Sequence, residues 1–228
     1  MTYVSMHVRP TLTVESYKES LMSIGYEFTS DTPEEFINRF VAEADFGPCE
    51  VEQYYSADCS IMPWVLQHRK GIPISLAIAA IEIGRLHGHE FVGIGMPGHF
   101  LLRERHDPTA FYDVFTNGHR MSLQDCELRF RNVQPNQPFQ SQYLTPISDR
   151  LIVQRVLNNL QNAYTQAGER TNLLWVLELR SCTDGLTLDD AEVMANLLGV
   201  HGRFDEAAEM YDAIKKPREA DHMRSFLN

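Results

Sequence analysis

The chain has 228 residues, 43% of them hydrophobic, which is enough for one substantial core or for a medium domain with a small appended one. Its 31 acidic and 20 basic side chains give a formal net charge of -11, and no long basic patch offsets it, so nucleic acid is not an expected partner. The longest apolar run, residues 72–83, is far shorter than the roughly 20 residues that a membrane span needs. The composition therefore predicts a soluble globular protein.

The cysteine pattern indicates a reducing compartment. Cys49, Cys59, Cys126 and Cys182 form no CxxC pair, and residues 1–10 lack the apolar segment of a secretory signal. Unpaired cysteines commonly act as small apolar side chains. We therefore expect reduced thiols and a cytoplasmic protein.

Two helices are predicted near the N-terminal end. Apolar residues recur at near-helical spacing over residues 12–24. Thr32, Pro33 and Glu35 supply a cap, a proline at the first helical position and a capping-box glutamate, which together predict the start of a second helix. Residues 50–62 are predicted to be a polar connecting loop. The two helices are interpreted as scaffold.

The centre of the chain predicts a buried helix followed by a sheet. Residues 74–87 are apolar nearly all round, which is typical of a buried helix. Short runs with alternating apolar residues follow at 91–96, 99–104 and 110–115, separated by turn-forming residues, as in an antiparallel meander. The order favours an α+β fold in which the helix packs on the sheet.

A domain boundary is predicted after this sheet. Ser122 is a candidate cap for one more short helix. Residues 132–146 contain several Pro, Gln and Asn residues, a composition typical of a linker. We therefore predict one domain over residues 1–145 and a second over residues 146–228.

The second domain contains an internal repeat. Gly168 and Gly202 lie 34 residues apart, and the repeat is clearest over residues 202–211. A 34-residue period is typical of tetratricopeptide repeats, which are pairs of antiparallel helices. Two repeats are fewer than the about three usually needed for independent stability. We expect them to act as a cap packed on the first domain; a free peptide-binding groove is the alternative.

The candidate site combines a helix start, a histidine and an aspartate. The buried helix begins near Pro73, His99 starts a predicted strand after a Pro-Gly turn, and Asp113 lies in the next strand. This order is similar to the transglutaminase-like superfamily, in which a cysteine begins the helix, the histidine activates it and the aspartate orients the histidine. The resemblance covers residues 71–118 and implies a transglutaminase-like, papain-like core with His99 and Asp113 at the catalytic positions.

No cysteine stands at the nucleophile position in this resemblance. Pro73 occupies it, and proline has no nucleophile. Ser75 is the nearest hydroxyl, but two residues along a helix rotate a side chain by roughly 200 degrees, away from that place. Ser75 is therefore either an unusual nucleophile or a partner of the backbone in the first helical turn. Cys59, in the preceding loop, is a second alternative.

Two further groups of polar residues flank the buried helix. Arg69 and Lys70 precede the buried helix, where they would favour an anionic or carboxylate-bearing ligand, or else be solvated. His87 and His89 lie near the end of that helix, but they lack the i, i+4 spacing that places two ligands on one helical face. We expect neither a metal ion nor a cofactor.

A closer resemblance rests on residues 66–77, 93–103, 112–113 and 117–118. These segments resemble the bacterial SirB family, which joins a transglutaminase-like core lacking the usual cysteine to C-terminal tetratricopeptide repeats. Val114 departs from that family, which usually has proline there, and implies a less rigid turn. The resemblance implies a regulatory protein.

Three functions follow as hypotheses. The first is a non-catalytic regulatory or adaptor protein that contacts a protein or peptide partner through its repeats. The second is a residual peptidase or amidase in which His99 is the general base, Asp113 orients it, and Ser75, Cys59 or an activated water is the nucleophile. The third is a peptide-binding module that works through the repeats alone.

Overall fold

A computed structural model describes residues 2–183 and 185–227. The chain divides into two compact units, Met1–Val156 and Leu157–Asn228. The first unit is an α+β domain and the second is made of helices, so the predicted fold class is confirmed.

The N-terminal part of the first unit consists of three helices: α1 (Thr2–Val8), α2 (Val14–Gly25) and α3 (Pro33–Ala42). The predicted cap of α3 is present, because the hydroxyl of Thr32 accepts a hydrogen bond from the backbone N–H of Glu35 at 3.1 Å. Phe36 and Phe40 place the apolar side of α3 in the core. α2 confirms the helix expected from the apolar spacing, whereas α1 was not predicted.

The segment between α3 and the buried helix contains more structure than the sequence indicated. Two short strands, β1 (Gly47–Pro48) and β2 (Lys70–Gly71), pair in parallel, and between them lie two short 3-10 helices and α4 (Met62–His68). A disulfide joins Cys49 to Cys59, whose Cα atoms are 6.5 Å apart.

The expectation that all four cysteines are reduced is therefore wrong for this pair. The turns of the two 3-10 helices fold the intervening segment back on itself, a closeness that the spacing of Cys49 and Cys59 in the sequence does not reveal. Cys126 and Cys182 are free thiols.

The buried helix is α5 (Pro73–Leu86), as predicted. It contacts an antiparallel sheet of four short strands in the order β3 (Phe91–Ile94), β4 (Leu101–Glu104), β5 (Phe111–Tyr112) and β6 (Arg120–Met121). The first three strands confirm the predicted meander, and β6 adds a fourth that was not predicted. Leu102 pairs with Gly93 on one side and with Tyr112 on the other, which fixes the register around the candidate site.

The segment after the sheet is packed onto it. α6 (Leu123–Val133) begins after the cap at Ser122 and buries Phe130. The rings of Phe139 and Tyr143 then lie 5.6 and 5.1 Å from the ring of Phe130. These aromatic contacts attach to the core a segment whose Pro, Gln and Asn content suggested a linker.

The C-terminal helices are α7 (Asp149–Ala167), α8 (Arg170–Thr183), α9 (Leu188–Val200), α10 (Phe204–Ala213) and α11 (Pro217–Arg224). Gly168 ends α7 and Gly202 ends α9, with φ of 69° and 75° respectively, so equivalent positions of the 34-residue period adopt the same left-handed turn. Although α7 has 19 residues, neither it nor another helix in the described ranges is long and apolar enough to cross a bilayer.

Candidate functional site

His99 and Asp113 form a buried hydrogen-bonded pair. Nε2 of His99 lies 2.9 Å from Oδ2 of Asp113, and the two residues are 8% and 1% exposed. Because a carboxylate accepts, the N–H of the imidazole must be on Nε2, which leaves Nδ1 as a proton acceptor in the neutral ring. The structure thus brings together the two residues that the sequence placed on neighbouring strands.

The second oxygen of Asp113 is engaged by the backbone. Oδ1 accepts hydrogen bonds from the N–H groups of Phe115 and Thr116, each at 3.1 Å. The carbonyl of Asp113 also accepts from the N–H of Gly118 at 2.9 Å. The turn expected to be loose because Val114 replaces a proline is therefore held by hydrogen bonds from three backbone N–H groups, and Val114 itself is 1% exposed.

Arg129 on α6 completes this cluster and was not predicted. Its guanidinium lies 2.8 Å from Oδ2 of Asp113. Burial raises the pKa of Asp113, but the hydrogen bond from His99 and the charges of His99 and Arg129 outweigh it, so the net pKa lies below its ordinary value. Asp113 is thus held as a carboxylate. No sequence pattern indicated this contact, since Arg129 lies beyond the motif and on another element.

The turn that carries His99 is held from two sides. Gly98 has a φ of +75°, and a Cβ atom there would lie 2.4 Å from Cγ1 of Val133 on α6, so the position requires glycine. Arg155 on α7 donates hydrogen bonds to the carbonyls of Met96 and His99, both at 3.3 Å. These contacts fix the direction in which the imidazole leaves the backbone.

Ser75 lies in the first turn of α5 and is bonded to the backbone. Its hydroxyl donates to the carbonyl of Cys59 at 2.6 Å and accepts from the N–H of Ile72 at 3.0 Å. The side chain is fully buried. The structure therefore brings Ser75 together with the loop before α5, and its hydrogen bonds do not include His99.

The other two nucleophile positions also lack a reactive atom. Pro73 is the first residue of α5 and is buried. Cys59 is bonded to Cys49, so its sulfur carries no proton. Cys126, which is fully buried on α6, has its pKa raised to about 12 by burial and by the charges of Asp125 and Asp113, and it is a neutral thiol.

The two candidate binding residues have acidic partners within the chain. Arg69 pairs with Glu27 and donates to the carbonyl of Ala44 at 3.0 Å. Lys70 contacts both the carbonyl and the carboxylate of Asp45, at 2.9 and 3.1 Å. An anionic ligand here would have to compete with these carboxylates.

The histidines at the end of α5 bind a serine. The hydroxyl of Ser30 lies 3.0 Å from Nε2 of His89 and 3.4 Å from Nδ1 of His87, and the ring of Phe28 stacks on His87. Among residues 2–183 and 185–227, the structure contains no group of three or more acidic, histidine or cysteine side chains arranged to hold a metal ion.

Comparison with known proteins identifies a family for this sequence. The family model described as the transglutaminase-like superfamily matches residues 15–158. A UPF0162 protein of Pseudomonas aeruginosa is 38% identical over 127 residues, which cover 54% of this chain and 46% of that protein. A UPF0162 protein of Xylella fastidiosa (strain Temecula1) is 33% identical over 118 residues, which cover 50% of this chain and 42% of that protein.

The chain thus spans less than half the length of these two relatives. No solved structure matches it. The match over residues 15–158 covers more than half of the chain and contains both His99 and Asp113. By that match, the chain belongs to the transglutaminase-like superfamily.

Proposed function

We propose that this is a non-catalytic regulatory or adaptor protein, in which the transglutaminase-like core is kept as a folded binding scaffold. One observation carries the proposal. In the described part of the chain, the hydrogen bonds of the His99 ring reach only Asp113, and both nucleophile candidates, Ser75 and Cys59, are bonded elsewhere. A neutral hydroxyl needs a base in direct hydrogen-bond reach to become a nucleophile. In this proposal, the hydrogen-bonded pair of His99 and Asp113 stabilises the site.

The proposal assigns contacts with a protein or peptide partner to the C-terminal helices. We interpret these helices as tetratricopeptide repeats and group the chain with the SirB family. Support comes from Gly168 and Gly202, which close equivalent hairpins one 34-residue period apart. Small side chains at Ala195 and Ala208 allow close packing of α9 and α10, as this interpretation requires.

The proposal also includes a cytoplasmic location. Cys182 is an exposed free thiol, which persists more readily in a reducing compartment. In this proposal the Cys49–Cys59 disulfide lies in a reducing compartment. Disulfides in such compartments usually have a redox role.

A probe experiment on the protein with its disulfide intact tests the absence of a nucleophile. All variants carry Cys182→Ser, because the exposed thiol of Cys182 would react with alkylating reagents whether or not His99 activates a nucleophile. We expect neither a fluorophosphonate nor a chloroacetamide probe to label the protein in a way that depends on His99. Labelling of Ser75 or Cys59 that disappears in His99→Gln would overturn the proposal.

A residual hydrolase is the second candidate, and one observation favours it. The Nε2–H group is committed to Asp113, so Nδ1 is the nitrogen of His99 that can act as a base when the ring is neutral, and the residue is 8% exposed. Such a nitrogen can take a proton from water. Turnover of a peptide or amide substrate that is lost in both His99→Gln and Asp113→Asn would favour this function over the first.

A further inference from the structure

A disulfide closes an exposed loop next to the start of α5. The loop comprises residues 50–58, between Cys49 and Cys59. Both ends are attached to the residues that precede or begin α5: the N–H of Cys49 donates to the carbonyl of Gly71 at 3.0 Å, and the carbonyl of Cys59 accepts from the hydroxyl of Ser75 at 2.6 Å. The base of the loop is therefore fixed on the scaffold.

The body of the loop is bonded mainly to itself. Gln53 donates its N–H to the carbonyl of Glu50 at 2.9 Å, and Ser56 donates to the carbonyl of Gln53 at 2.8 Å. Val51 and Tyr55 are 83% and 71% exposed. Local hydrogen bonds and exposed side chains are features of segments that open at low free-energy cost.

Tyr54 is the exception, because it turns inward towards the site. Its ring lies 6.0 Å from the ring of Phe115 at an interplanar angle of 77°. The ring of Phe115 lies 6.2 Å from the imidazole of His99, again at 77°. Burial raises the pKa of Tyr54, consistent with a phenol that is partly removed from water. A row of three edge-on rings thus connects the loop to His99.

We propose that the Cys49–Cys59 disulfide is a redox-sensitive latch that holds Tyr54 against Phe115 and thereby restricts access to His99. Closing a loop by a covalent bond removes conformational freedom from it. Breaking the bond returns that freedom to residues 50–58, in which the ring of Tyr54 packs against the ring of Phe115. The inference rests on the proposed function in that His99 belongs to the transglutaminase-like core kept as a binding scaffold.

The switching step is thiol–disulfide exchange with a dithiol reductant. A thiolate of the dithiol attacks Sγ of Cys49, which is 6% exposed whereas Cys59 is fully buried, and the sulfur of Cys59 leaves as a thiolate. The second thiolate of the reductant then displaces Cys49 and forms an intramolecular disulfide. The reductant loses two electrons and two protons, and the two cysteines of the loop become thiols.

Site-resolved modification by diethylpyrocarbonate, read by peptide mass mapping, tests the latch on the full chain. We expect the modification rate of His99 to rise at least about threefold after reduction with dithiothreitol, as local opening exposes the ring. His89, which is 8% exposed like His99, is the internal control and should not change. A rise at both histidines would indicate general unfolding and would reject the latch.

Variants separate the disulfide from the aromatic contact. Cys49→Ser combined with Cys59→Ser should show the faster rate without reductant, and Tyr54→Ala should show it in the oxidised protein. Val51→Ala, in the same loop, and Cys182→Ser should behave as wild type. If the serine pair does not fold, titration of the wild-type chain with dithiothreitol gives the same comparison.

Two outcomes overturn the inference. One is an unchanged His99 rate when thiol counting shows that the disulfide is broken. The other is a protein purified without reductant in which thiol counting finds all four cysteines free. Neither bears on the non-catalytic proposal, which fails instead if His99-dependent labelling or turnover is found in either redox state.

Discussion

Arg129 and His99 converge on a single oxygen atom, Oδ2 of Asp113, at 2.8 and 2.9 Å. Asp113 is almost fully buried, while the side chain of Arg129 is 31% exposed. In a cysteine-dependent active site, the carboxylate serves to orient the histidine. Here the same carboxylate also anchors α6, so the couple has a structural use that does not depend on a nucleophile.

Removing Arg129 should destabilise the fold. Arg129→Met leaves the carboxylate of Asp113 with His99 and two backbone N–H groups, and we expect a loss of about 1–2 kcal/mol, less than the ~3–5 of a fully buried pair because Arg129 is partly exposed. Urea unfolding measures the change. Arg131→Met removes a pair with Glu127 on the exposed side of the same helix and is the control, expected to cost less than about 0.5 kcal/mol.

His99→Ala should also lower stability. The substitution removes the hydrogen bond to Oδ2 of Asp113 and leaves that buried oxygen to Arg129 alone, which should cost about 1–3 kcal/mol. Thermal melting followed by circular dichroism measures it, and His106→Ala, at a side chain that is 76% exposed, is the control. Wild-type melting of His99→Ala, together with loss of a hydrolytic activity, would contradict the structural role.

Acid should weaken the fold through Asp113. The pKa of this carboxyl is lowered from its ordinary value of 3.8 by His99 and Arg129 against the opposing effect of burial. A group with a lower pKa in the folded state stabilises the fold above its ordinary pKa, and this contribution is lost as the pH falls through the folded-state value.

The free energy of unfolding of the wild type should therefore decline more steeply below about pH 4 than that of Asp113→Asn. Urea titrations of both proteins at a series of acidic pH values give the comparison. Parallel curves would mean that Asp113 has the same proton affinity in the folded and unfolded states.

Ser75→Ala should act on stability and leave the His99 ring unaffected. It removes a fully buried hydroxyl and leaves the carbonyl of Cys59 without that donor, which should cost about 1–3 kcal/mol. Ser20→Ala, on the exposed side of α2, should change the unfolding free energy by less than about 0.5 kcal/mol. A changed modification rate of His99 in folded Ser75→Ala would argue for a direct connection between the two residues.

Local signals in the sequence predicted the main elements. Thr32 and Glu35 marked the start of α3, the unbroken apolar run marked α5, and the 34-residue period marked the turns at Gly168 and Gly202. The pairing of His99 with Asp113 followed from their order along the chain, although both lie just outside the observed strands: His99 precedes β4 and Asp113 follows β5. Each of these signals lies within one element or between neighbouring ones.

Contacts that join distant elements could not be predicted in this way. Arg129 reaches Asp113 from a helix outside the motif, and a single arginine on an amphipathic helix resembles any solvated charge. Cys49 and Cys59 meet because turns fold the loop between them, and composition alone suggested free thiols. The packing of Phe139 and Tyr143 on Phe130 was not predicted, because the prolines and amides around these two residues indicated a linker.

The hydrogen bonds of Arg155 bear on where this chain can be shortened. Its guanidinium holds the carbonyls of Met96 and His99 and lies 5.4 Å from the centre of the Phe100 ring, although it belongs to a helix that continues into the C-terminal unit. A protein truncated at residue 145 would keep His99 but lose the hydrogen bonds from Arg155 to the carbonyls of Met96 and His99. The smallest fragment that keeps these contacts around His99 must therefore include Arg155 on α7.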